Sequence, residues 1–222
     1  MKRFIIISLI SIFVFMLFLA GCGANTTPIP ETGEQQPADE LQEDPVKEPA
    51  DKISLSDYFP LTKGSSWKYL GDGNEYASFN RKVVFVEGNK AQIIEDNGGT
   101  VSASVYTFSE DEITRIFFQG EEYQETNFLN EEPNENLIVL KKPISVGTKW
   151  EVENGTREIV DVNATVDTPI GEFTNCIKVE ISNEHSTLHE YFKDGIGMVK
   201  RVFISEGVEI TSTLQEVNIA ID

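Results

Sequence analysis

Three groups of residues in this chain have types and spacings that could do chemistry. The first is Leu19-Ala20-Gly21-Cys22, which follows an apolar run from Phe4 to Leu17. A cysteine after small residues can accept a diacylglycerol on its thiol. Cleavage between Gly21 and Cys22 would then leave Cys22 as an acylated N-terminus. Each buried methylene contributes about 0.8 kcal/mol, so two or more chains anchor stably where one does not. The second group is His185 and His189. Four apart on a strand they would share a face, but a transition-metal site needs three or four converging ligands and this pair supplies two. The default reading is two solvated histidines flanking a hairpin, with no metal. The third is the apolar set Phe117, Phe118, Phe128 and Leu129, which could line a pocket for a hydrophobic ligand.

Other features read as structure. The sequence has no G-x-S-x-G elbow, no H-E-x-x-H and no phosphate-binding glycine loop. Asp167-Thr168-Pro169 has Pro where an aspartic-protease triplet needs Gly, and it reads as a hairpin turn with Pro at its first corner. The acid runs Glu110-Asp111-Glu112, Glu121-Glu122 and Glu131-Glu132 match no EF-hand and read as solvated turns. Cys176 shares the strand parity of Lys178 and Glu180, which predicts a partly exposed lone thiol without a resolving partner. The expectation is no catalysis and no cofactor.

The elements that position these residues divide the chain in three. Residues 1–21 combine Lys2 and Arg3 with the apolar run, which has the flanks and length of a lipoprotein signal peptide. Residues 22–57 hold five of the nine prolines, nine acids and only Lys47 and Lys52 as bases. Too few apolar residues remain there to bury a core, so this is expected to be a disordered tether behind the lipidated cysteine. The chain carries 18 basic and 37 acidic residues, a net charge of −19. Phosphate backbones need a basic patch, so nucleic acid is excluded as a partner. One cysteine beyond Cys22 cannot make an internal disulfide, and the 58–222 domain must be stable through its core, as a monomer.

That domain reads as all-β. Twelve stretches rich in Val, Ile, Phe, Tyr and Thr alternate with turn signals such as Gly71-Asp72-Gly73-Asn74, Asn97-Gly98-Gly99 and Glu206-Gly207. Phe173, Ile177, Val179 and Ile181 share one parity, as expected of strands with one buried face. No window longer than a turn has helical periodicity. The expected fold is an antiparallel sandwich or a curved half-barrel. A weak internal repeat reads either as two similar halves, 58–127 and 138–217, or as chance recurrence of turn-then-tryptophan strand starts. Pro60-Leu61-Thr62-Lys63-Gly64-Ser65-Ser66-Trp67 matches Pro143-Ile144-Ser145-Val146-Gly147-Thr148-Lys149-Trp150, Arg115-Ile116-Phe117-Phe118 echoes Arg201-Val202-Phe203-Ile204, and Tyr106 echoes Tyr191.

Tyr58-Phe59-Pro60-Leu61 through Trp67-Lys68-Tyr69, Thr168-Pro169-Ile170-Gly171-Glu172-Phe173 with Cys176-Ile177-Lys178-Val179, and Tyr191 through Lys200 give the chain a resemblance. It resembles an uncharacterised all-β domain of secreted proteins and lipoproteins from Gram-positive, clostridia-like bacteria. The resemblance implies fold and carries over no functional residue. Together these readings predict a lipoprotein at the outer face of a Gram-positive cell membrane. Its β domain is a non-catalytic interaction or structural module with a protein or cell-wall partner. The alternative is a carrier of a hydrophobic or lipid ligand in the half-barrel.

Overall fold

The computed structural model describes residues 54–221, so the expected signal peptide, Gly21, Cys22 and nearly all of the expected tether lie outside the described residues. The domain is one antiparallel sheet of twelve strands. They are β1 (Ser66–Asp72), β2 (Phe79–Glu87), β3 (Lys90–Asp96), β4 (Val101–Phe108), β5 (Glu112–Gly120), β6 (Leu137–Lys141), β7 (Lys149–Val152), β8 (Gly155–Thr168), β9 (Gly171–Ser182), β10 (Thr187–Lys193), β11 (Gly197–Ser205) and β12 (Val208–Asn218). The spatial order is β6-β5-β4-β3-β2-β1-β12-β11-β10-β9-β8-β7, so each strand pairs with its chain neighbour and β1 pairs with β12. The sheet curls until its edges, β6 and β7, face each other. There the Trp150 indole Nε1–H donates to the Ile138 carbonyl at 3.0 Å. Of the two expected architectures this is the curved one, a nearly closed barrel. A sandwich would divide the strands between two stacked sheets.

The residues explain the curl. Alternation puts Tyr69, Phe79, Val83, Ile93, Ile159, Ile177, Val179 and Leu214 on one face, and all are buried in a single core. Bulges at Lys68/Tyr69, Val83/Phe85, Val105/Tyr106 and Tyr191/Phe192 bend the strands and tighten the twist. The Val83-Val84-Phe85-Val86 run is apolar on both parities for this reason. Val83 faces the core, while Phe85 lies beyond the bulge and packs on the outside.

A 3-10 helix, Leu55–Tyr58, precedes β1, and Leu55, Tyr58 and Phe59 are buried in the core. Phe59 lies 5.1 Å from the Tyr106 ring and 6.2 Å from the Phe192 ring. Leu55, within the last residues of the expected 22–57 tether, is thus packed in the same core as Tyr58 and Phe59.

The two turn-and-tryptophan segments share their hydrogen bonds. Gly64 N–H donates to Val83 O and Gly147 N–H to Ile159 O, both at 2.9 Å, and the Val83 and Ile159 amides return bonds to Ser65 O and Thr148 O. Both glycines sit at positive φ, 94° and 89°, which Gly alone adopts freely. Trp67 and Trp150 each stand second in their strand, buried, with the indole N–H on a carbonyl of the other six-strand half.

Cys176 is fully buried, where partial exposure was expected. Register shifts at Asp161/Ala164 and Ala164/Val166 and the positive φ of Asn175 break the simple alternation, so Cys176 and Ile177 both enter the core.

Candidate functional site

The chain contains five arginines, Arg3, Arg81, Arg115, Arg157 and Arg201, and 13 lysines. All four arginines of the described residues line one cavity of about 160 Å³ inside the barrel. They reach it from β2, β5, β8 and β11, on the parity that elsewhere carries Phe79, Val83, Ile113 and Ile159. Burying a guanidinium is costly unless it is paired, and each has an acidic neighbour. Arg81 donates through Nε and Nη2 to Glu95 Oε2 at 3.2 and 2.8 Å. Arg115 forks onto Glu135, Nε to Oε2 at 2.6 Å and Nη2 to Oε1 at 2.8 Å. Arg157 Nη2 donates to Glu190 Oε2 at 2.5 Å. Arg201 Nε stands 3.7 Å from Glu190 Oε1, an ionic contact too long for a hydrogen bond.

Electrostatics lock these charges. Burial alone would raise the Glu95 and Glu190 carboxyls, but Arg81 beside Glu95, Arg157 beside Glu190 and Arg201 near both hold them below the ordinary value. Burial likewise opposes the charges of Arg81 and Arg115, and Glu95 and Glu135 outweigh it. Burial pushes the Tyr69 phenol up to about 12, and its O–H donates to the Met198 carbonyl at 2.8 Å. Aromatic rings hold the arginine planes: Arg201 lies 5.1 Å and Arg81 5.6 Å from the Phe79 centroid, and Arg115 lies 5.1 Å from Phe118.

Two donors stay open. Arg157 Nε and Arg201 Nε are buried with no hydrogen-bond partner. Arg201 and Glu95 also line a second cavity of about 410 Å³, with Tyr76, Phe79, Leu188, Phe203 and Ile210 among its other walls.

The residues singled out from sequence fall elsewhere or are divided. Phe117, Phe128 and Leu129 form a separate cluster outside the sheet with Val105. The Phe117 and Phe128 rings stack at 5.0 Å. Gln92 pins the covering loop there, Nε2 to Thr126 O and Oε1 from the Phe128 N–H, both at 2.7 Å. Only Phe118 reaches the arginine cavity. His185 is exposed in the β9–β10 hairpin, off the strand, and His189 on β10 contacts Glu180 at 3.1 Å. The two therefore do not share a strand face, and among the described residues no three His, Cys, Asp or Glu gather as metal ligands. Cys176 has its thiol pushed up by burial, partly offset by Lys193. Tyr106 faces the cavity, whereas Tyr191 lies beside Lys178, so these echoed tyrosines serve different faces. The strand register puts Tyr106 opposite Arg115 and Glu190 opposite Arg201 instead. The arginines escaped the sequence reading because a lone Arg in a strand reads as solvated. The available signal was their recurrence on the apolar parity.

No family model and no curated protein matches the chain. Two crystal structures show similarity. One is a Bacteroides fragilis protein described as exported, with a YmcC-like fold, at TM-score 0.42 and 12% identity, covering 71% of this chain and 96% of that one. The other is described as a lipoprotein of Parabacteroides distasonis, at TM-score 0.43 and 15% identity, covering 72% and 98%. Neither comes from a clostridia-like Gram-positive organism, so that expected origin gains no support.

Proposed function

We propose that this protein is an extracytoplasmic lipoprotein, held at the outer face of a membrane by acyl chains on Cys22, whose barrel is a non-catalytic binding module. The observation that carries the module is the arginine cavity, where ionic groups on four strands converge with donors left over. A general acid or base works best with a pKa near the operating pH. Glu95 and Glu190 are instead held ionised by adjacent guanidiniums, a poor arrangement for proton transfer and a good one for recognition. The anchor is supported by Lys2-Arg3, the apolar run and Leu19-Ala20-Gly21-Cys22 in their order and spacing.

The hydrophobic-carrier reading needs an open apolar cavity. The charged lining of the inner cavity favours a polar ligand, and three of the four apolar candidates are consumed by packing outside the barrel. Membrane fractionation tests the anchor: the wild-type chain should sediment with membranes and Cys22→Ala should not. Equal partitioning of the two would refute it. Native mass spectrometry of the purified chain tests the carrier reading, which a co-purified acyl species inside the barrel would restore.

A further inference from the structure

We propose that the cavity is a carboxylate site, in which Arg157 and Arg201 hold the carboxylate of a small, ring-sized organic acid; this rests on the binding-module reading and not on the anchor. The two halves of the barrel supply the argument. In β1–β6 each arginine Nε–H already meets a carboxylate, Arg81 on Glu95 at 3.2 Å and Arg115 on Glu135 at 2.6 Å. In β7–β12 the corresponding pair, Arg157 and Arg201, has both Nε–H groups buried and unpartnered. The correspondence is local and physical. Arg81 and Arg157 each stand two residues before Val83 and Ile159, the residues that make the matching bonds to the Gly64 and Gly147 turns.

The acids that would complete the second half are missing for definite reasons. Glu95 is the cross-strand partner of Arg81, while Ile181 is the cross-strand partner of Arg157. Glu135 reaches Arg115 from the long β5–β6 connection. The β11–β12 connection is only Glu206-Gly207, a two-residue turn at positive φ that cannot return a carboxylate to Arg201. Glu190 is left to serve both arginines, and it reaches neither Nε within hydrogen-bond distance.

Charge and shape set the ligand class. Four guanidiniums face Glu95, Glu135 and Glu190, one positive charge in excess, which a monocarboxylate neutralises and a phosphate dianion overshoots. The planar guanidinium fork matches a carboxylate. Arg157 is 5% exposed, so its Nε–H is satisfied only by something inside the cavity. A dry cavity of about 150 Å³ holds a six-membered ring, close to the size available here. Arg201 also lines the second cavity, where the apolar side chains of Phe79, Leu188, Phe203 and Ile210 suit a carbon skeleton behind the carboxylate.

Benzoate is the probe, with benzamide as its neutral isostere, both titrated at constant ionic strength into the full chain in detergent. Arginine Nε–Hε resonances are the readout. Saturable shifts of Arg157 and Arg201 with benzoate, and none with benzamide, are expected. Arg201→Gln should weaken benzoate about 10- to 100-fold, the loss of one charge-assisted hydrogen bond. If that variant does not fold, Arg201→Lys, which keeps the charge and lacks the Nε–H, reads the same loss. No saturation by benzoate, equal shifts with benzamide, or undiminished binding in a folded Arg201 variant each overturns the proposal. Any of these would leave the membrane-fractionation result, and with it the anchored module, untouched.

Discussion

Replacing Glu190 with Gln should expose how much the interior charges depend on one another. Glu190 is 9% and Arg157 5% exposed, and their 2.5 Å bond is the closest ionic contact in the cavity. Glu190→Gln keeps the shape and removes the charge, leaving the Arg157 guanidinium buried beside Arg201 without an anion. Breaking a buried pair from one side costs about 3–5 kcal/mol. For a domain of this size each kcal/mol lowers the Tm by about 2–4 °C, so the shift is roughly 6–20 °C. Thermal unfolding at pH 7, followed by the fluorescence of the buried Trp67 and Trp150, measures the shift, and urea unfolding measures the free-energy loss itself. The reasoning also fixes the double variant. Arg157→Met with Glu190→Leu removes both charges and should fall within about 1 kcal/mol of wild type or above it. Arg201 then loses a partner too, but its contact was the longer 3.7 Å and its side chain is 28% exposed. A single variant costing under about 1 kcal/mol, or a double as unstable as the single, would refute this account of the charges.

Three further outcomes follow from the same geometry. Glu95 and Glu190 are held below the ordinary carboxylate value of 4.5, so they add stability that is present above that pH and lost as pH falls below it; acid titration of the unfolding free energy should decline there, and less steeply in Glu190→Gln. Trp150→Phe removes the 3.0 Å bond across the β6/β7 edge, so amide exchange should quicken in β6 and β7 with a net loss of about 1 kcal/mol, while β1 and β12 stay protected; uniform exchange would show that the bond does not hold the edge. The Cys176 thiol, fully buried and pushed up in pKa, should resist a thiol-specific disulfide reagent until urea unfolds the chain, and prompt labelling of the native protein would contradict its placement.

The strands were legible because period-two alternation and glycine turns are local signals. Phe173-Ile177-Val179-Ile181 and the Glu206-Gly207 turn each state their role within a few residues. The choice between sandwich and barrel was not legible, since both bury one face of every strand. It is settled by bulges, such as the one that turns Val83 inward and Phe85 outward, and these leave no clear compositional mark. Bulges also defeated the parity reading of Cys176. The arginine cavity was hidden for another reason. Arg81, Arg115, Arg157 and Arg201 are up to 120 residues apart in the sequence, each alone in its strand, and only closure of the sheet brings them to one space.

The two open features of this barrel have a common origin in how its halves end. The last strand of the first half, β6, is five residues long and pairs only with Glu112–Arg115 of β5. Beyond that point the β5–β6 connection replaces the ladder. Asn134 accepts from the Phe118 amide and donates to its carbonyl, both at 2.9 Å, and the backbone amides of Asn134 and Glu135 donate to Ile116 O. That arrangement sets Glu135 against Arg115, and β6 stands as one edge of the sheet, with no ladder to the four-residue β7 at the other edge. The last strand of the second half, β12, runs eleven residues from a two-residue turn and pairs with β1 along the whole of Ser66–Asp72. It closes its side of the barrel and has no connection long enough to supply an acid to Arg201. Where the chain spends residues on a long connection, it satisfies an arginine and opens the sheet. Where it spends them on strand, it closes the sheet and leaves an arginine open. The open edge and the open donors therefore arise from opposite choices at corresponding places, and the cavity between them inherits donors from only one half.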